Sequence, residues 1–221
     1  MVLLSSVSWI IFSYAPRATI TMNWLKQLFG TDSTRRVTVD NPLIIESPRI
    51  AFLNLIGPTA EALMKHDKDA LGSFFASAAE SAGGDTPLCD VLMIYCDLQN
   101  SGAIVGCSNG LRDIIDASTA AIVIVASENN ADGYITAGKR TGHAKANLVM
   151  TLNRKGPAFT AFFAGLFGKM FAGKSMPLAW VELAPQITGA THDNCPETIS
   201  LLRSVIFFST AHNKALQLTA Q

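Results

Sequence analysis

Four short stretches of the chain are apolar at nearly every position: "RIAFLNLIG" (Arg49–Gly57), "CDVLMIYCDL" (Cys89–Leu98), "AAIVIVA" (Ala120–Ala126) and "ANLVMTLN" (Ala146–Asn153). A strand with one face in water alternates apolar and polar residues, so runs like these require both faces to be covered. A parallel sheet with helices on either side meets that requirement. The intervening segments supply the helices. "TAEALMKHDKDALGSFFASAAES" places Leu63, Met64, Ala70, Leu71, Phe74, Phe75 and Ala78 at helical spacing, with Thr59 positioned to cap it, Gly83-Gly84 to end it and His66 bordering the core. "SNGLRDIIDAS" gives a short helix with Leu111, Ile114 and Ile115 on one side, and another follows around Tyr134–Gly138. "GPAFTAFFAGLFGKMFAG" sets Phe159, Phe162, Phe163, Leu166, Phe167 and Met170 on one face of the clearest amphipathic helix in the chain. The pattern predicts a three-layer α/β/α domain with a mostly parallel central sheet of about four to six strands.

This domain is expected over residues 48–186. Residues 1–47 read as an amino-terminal extension and linker, with the boundary in the turn-rich "TDSTRRVTVDNP" (Thr31–Pro42). The opening "MVLLSSVSWIIFSYA" lacks the positive start of a signal peptide and is short and serine-rich for a membrane span. It reads as an upstream extension, with a second start at Met22 opening the amphipathic "MNWLKQLFG". Beyond Gln186 the periodicity degrades, and residues 187–221 are assigned to a tail. Its end, "AHNKALQLTAQ", resembles tails made when a reading frame runs into the recombination site of an integron gene cassette.

The formal net charge is zero and no Lys/Arg run occurs, which argues against nucleic acid and anionic membranes as partners. Cys89, Cys96, Cys107 and Cys195 form no Cys-x-x-Cys pair and no zinc-ligand spacing, so no metal or cofactor is expected. Two of them flank an apolar strand, which suits buried reduced thiols in a cytoplasmic protein.

Reacting groups in such sheets sit outside the carboxyl ends of the strands. Cys96-Asp97 after the second strand and Ser127-Glu128-Asn129 after the third are therefore the candidate rim. A serine nucleophile needs a base and a group to orient it. Asp97, and His143 in the loop "KRTGHAKAN", are the available helpers, but Ser127 lies in no Gly-x-Ser-x-Gly elbow. Cys96 beside Asp97 reads as an inert thiol, since the carboxylate opposes thiolate formation. Around Gly106–Gly110, Ser108 and Asn109 open a helix whose start is a weak candidate for binding phosphate or a nucleotide. Met176, Leu178 and Trp180 would make an apolar docking patch if exposed, with core packing the alternative.

From Asp90 to Leu183 the order of elements and several strings resemble the caspase-like CHAT domains, of the caspase/gingipain fold. "DVLMIYCDL" stands where that family has a strand ending in His-Gly, "VASEN" where it has Ala-Cys-Glu, "ANLVMTLN" at the next strand, and "FTAFFAGLFGKMFAGKSMPLAWVEL" at the last helix. Aligned so, the family's catalytic cysteine falls on Ser127 and its histidine near Asp97. The resemblance implies the fold and, with both catalytic groups replaced, argues against protease activity. The expectation is a non-catalytic, caspase-like or flavodoxin-like bacterial domain, from a mobile-gene or defence setting, that acts by binding a protein partner, itself or a ligand. A serine hydrolase using Ser127, and phosphate binding at Gly106–Gly110, are the alternatives.

Overall fold

The computed structural model describes residues 10–12, 42–83, 85–138, 146–184 and 195–209. Nine strands are described: β1 (Ile10–Phe12), β2 (Leu43–Glu46), β3 (Ile50–Asn54), β4 (Ala78–Ala82), β5 (Val91–Tyr95), β6 (Ile122–Val125), β7 (Asn147–Asn153), β8 (Glu197–Leu201) and β9 (Ile206–Ser209). The helices are α1 (Pro58–Leu71), α2 (Leu111–Ala117), α3 (Ala131–Gly138), α4 (Pro157–Phe171) and α5 (Met176–Leu183). They build a three-layer α/β/α domain around a seven-stranded sheet of order β1-β8-β7-β6-β5-β3-β4. β4, β3, β5, β6 and β7 run parallel, and β8 is antiparallel to β7. Taken alone, the parallel strands have the doubly wound order 2-1-3-4-5.

The period of two in each apolar run divides the core. Ile50, Phe52, Val91, Met93, Ile122 and Ile124 face α1, α4 and α5, whereas Ala51, Leu53, Leu92, Ile94, Val123 and Val125 face α2 and α3. Phe159, Phe163 and Phe167 of α4 are fully buried, and Trp180 of α5 packs edge-on against Phe162 with ring centroids 5.0 Å apart. Trp180 and Met176 are thus core residues, and Leu178 alone of the expected patch is exposed.

Several expectations are corrected. The helix after β3 stops at Leu71, and Ala78–Ala82, expected to continue it, forms β4 instead, paired in register with Ile50–Asn54. Alanine favours helix, but Gly72 opens a tight 3-10 turn and the exposed edge of β3 supplies a ladder that local preference cannot match. On α1 itself, Pro58 occupies the first turn with no side-chain cap, and His66 is exposed while Asp67 is buried.

Residues 195–209, assigned to the tail, also build the fold. β8 lies against β7, and β9 pairs with β2 in a separate two-stranded parallel sheet. Ile45, Ile206 and Phe208 from that pair enter the core on the α4 side, where the Phe208 ring lies 5.0 Å from Phe171. Asn147 at the start of β7 ties in the turn between β8 and β9. Its Oδ1 accepts the N–H groups of Arg203 and Ser204 at 2.7 and 2.9 Å, and its Nδ2 donates to the Ser204 carbonyl at 2.9 Å.

Candidate functional site

β5 and β6 are neighbours, so their carboxyl ends bring Cys96-Asp97 beside Ser127-Glu128-Asn129. The adjacency is as expected, but its use differs. Ser127 is 5% exposed, and its hydroxyl donates to the Cys96 carbonyl at 2.6 Å while accepting the Cys96 N–H at 2.9 Å. These two bonds take the place of one more rung of the β5–β6 ladder, with a side chain standing in for backbone.

Asn129 closes the arrangement. Its Oδ1 accepts the Leu98 N–H at 2.6 Å, and its Nδ2 donates to the Cys96 carbonyl at 2.9 Å and to the Tyr134 hydroxyl at 3.3 Å. The buried Tyr134 hydroxyl donates in turn to the Thr151 carbonyl at 2.9 Å. A serine used this way delivers its proton to a carbonyl oxygen, which is no base. Asp97 is exposed and makes no hydrogen bond to Ser127 among the described residues, and His143 lies outside the described residues. Glu128 is exposed and accepts the Arg154 N–H through Oε1 at 2.8 Å, pinning the end of β7.

Cys96 is fully buried, and burial, with the Asp97 and Cys107 charges adding to it, pushes its thiol up to about 12. Burial likewise holds Cys89 up at about 11. In native protein at pH 8 neither should react with a thiol-specific disulfide reagent, and half-buried Cys107 should react first. Timed labelling followed by peptide mass spectrometry reads this; rapid modification of Cys96 in folded protein would contradict it. Raised thiols carry a pH signature as well. Their contribution to stability is held below about 8.5 and declines as pH rises from there towards 12, because the unfolded chain then ionises first.

At the second expected site, Ser108 and Asn109 are exposed ahead of α2. The Gly110 N–H there already donates to the Asp113 carboxylate at 2.8 Å. An acidic group at this helix start occupies the donor and repels a phosphate, so the helix's own Asp113 cap explains the motif.

Beneath the rim lies a cluster that sequence reasoning missed. Asp67 of α1 is 0% exposed and Arg154, just after β7, is 5% exposed. Arg154 Nη2 donates to both Asp67 oxygens at 2.9 Å, and Nη1 donates to the Ala126 carbonyl at 2.6 Å. The guanidinium stacks 3.7 Å above the Phe159 ring. Thr160 and Tyr95 complete the carboxylate shell, donating at 2.7 and 2.6 Å. Burial, with the charge on Asp67 adding to it, holds the Tyr95 hydroxyl protonated far above its ordinary range. Every acceptor of Asp67 is engaged from within the fold, which makes the cluster a clamp joining α1, β5, β6, β7 and α4. Asp67 had left a trace in the sequence, as a carboxylate on the apolar stripe Ala60, Met64, Asp67, Leu71.

Among the described residues no three His, Cys, Asp or Glu side chains group to hold a metal ion. No helix among them is long and apolar enough to cross a membrane. No family model matches the chain, and no curated protein matches it.

Proposed function

We propose that this is a non-catalytic, caspase-like α/β domain that works by binding a protein in the bacterial cytoplasm. The observation that carries the reading is the Ser127 hydroxyl, committed in both directions to the main chain of Cys96 at the position where a nucleophile would be mounted. The sheet order fits the caspase-like part, since it puts Asp97 and Ser127 at the ends of adjacent parallel strands, and a flavodoxin-like sheet has the same adjacency. A hydrolase would need Ser127 turned out of its two bonds and a base brought to it.

The reading is tested with a fluorophosphonate probe. Wild-type protein and Ser127→Ala should both remain unlabelled beside a serine hydrolase labelled in the same tube. The variant should nevertheless lose about 1–3 kcal/mol of stability in urea, because it leaves the buried Cys96 N–H without its partner. Labelling of wild type that vanishes in Ser127→Ala would establish a nucleophile and sink the reading.

A further inference from the structure

We propose that the groove between α1 and the free edge of β4 accepts an extended, positively charged segment of a partner protein as an added strand. The inference rests on the binding reading and names the surface and the kind of partner.

Among the described residues β4 is the last strand at its end of the sheet, with β3 as its neighbour. The Ile50 N–H donates to the Ser77 carbonyl at 3.0 Å, which turns the backbone groups of residues 77, 79 and 81 towards β3. The N–H and C=O groups of Ala78, Glu80 and Ala82 therefore point outwards. Natural sheets block such edges with very short strands, charged side chains (lysine above all), proline, a bulge or a covering element. β4 reads "AAESA", pairs with β3 without a register shift, and has Glu80 as its one charge. Glu80 is drawn aside to Lys68 of α1, at 2.7 Å.

Helix α1 runs alongside this edge. Glu61, Met64 and Lys68 line the groove from the helix, and Glu80 and Ala82 from the strand, around a space of about 620 Å³. A strand added to β4 would lie about 4.8 Å from it. Its alternate side chains would then face the α1 wall, where Met64 is buried and Ala82 leaves room.

The charges select the occupant. Lys65 is paired with Asp69 and Lys68 with Glu80, whereas Glu61 has no ion pair among the described residues. It lines the same groove as Asn54 and Ala82, so a cation on the occupant gains a carboxylate there. A second copy fits less well. Two-fold pairing of β4 edges about their centre sets Glu80 against Glu80, and it brings the two α1 helices together over strands of only five residues. Stable interfaces bury about 1,200–2,000 Å² in total. A single inserted segment needs no such facing body, and main-chain pairing supplies its affinity.

The test uses the full chain, labelled with ¹⁵N and titrated with seven-residue end-blocked peptides of alternating valine and serine, ending in lysine or in glutamate. The amides of Ala78, Glu80 and Ala82 should shift, with the lysine peptide bound about two- to fivefold tighter than the glutamate peptide. Glu61→Lys should reverse that order. Ala82→Pro removes an outward N–H without touching the β3 ladder and should abolish the shifts; Ala82→Lys, which blocks the edge without altering the backbone, should do the same. The proposal is overturned if β4 does not respond to any peptide, if Glu61→Lys leaves the order unchanged, or if the wild type sediments as a dimer that these edge variants dissolve. Fluorophosphonate labelling at Ser127 would remove the non-catalytic reading yet leave these shifts unaffected, so the two failures are distinct.

Discussion

Arg154→Ala should lower stability by about 3–5 kcal/mol, the largest effect expected of any single polar substitution in this protein. The reason lies in what remains. Asp67 would keep its bonds from Tyr95 and Thr160 but stay fully buried without its counter-charge. An uncompensated carboxylate in an apolar cluster costs far more than the ion pair gained, because both ions had already given up their water. Urea unfolding reads the loss as a midpoint lowered by about 1–3 M at an ordinary slope. Arg154→Lys should recover only part of it. A single ammonium cannot reach the Asp67 carboxylate and the Ala126 carbonyl while also stacking flat on Phe159. The double variant Asp67→Leu/Arg154→Met should be more stable than Arg154→Ala, since it leaves no charge behind. If Arg154→Ala unfolds at the wild-type midpoint, the clamp does not hold these elements together.

That clamp also marks the limit of what the sequence discloses. The strands were legible because burial on two faces leaves an apolar run, as in Ile122–Val125, where all four residues are buried. α4 was legible from its phenylalanine stripe. β4 was not, because alanine and serine carry no strand signal and the pairing that fixes them comes from β3. Ser127 was placed correctly at a strand end, but no local pattern reveals that its hydroxyl reaches across to Cys96, 31 residues away in sequence. The Asp67–Arg154 pair spans 87 residues and joins a helix to a strand end. One half of it shows only as a carboxylate misfitting an apolar stripe, and the expectation put His66 at that border instead.

The carboxyl-terminal strands carry the second large effect. A chain ending at residue 186 should fail to reach a cooperative folded state, although the strand and helix alternation ends there. Removing β8 strips the ladder from one side of β7, exposing Leu148–Thr151 as an apolar edge open to aggregation. It also leaves the buried Asn147 amide without the Arg203 and Ser204 main chain that it bonds. Removing β9 takes Phe208 out of contact with Phe75, Phe167 and Phe171 and leaves β2 with no described partner. The loss of one such phenylalanine costs about 3–5 kcal/mol, a large share of the 5–15 kcal/mol that holds an ordinary domain together. Together with the ladder it exceeds that margin. A chain ending at residue 209 keeps both strands and should unfold cooperatively. Circular dichroism melts of the two truncations decide the matter: a cooperative transition in the chain ending at 186 would mean that β8 and β9 merely decorate a core complete without them.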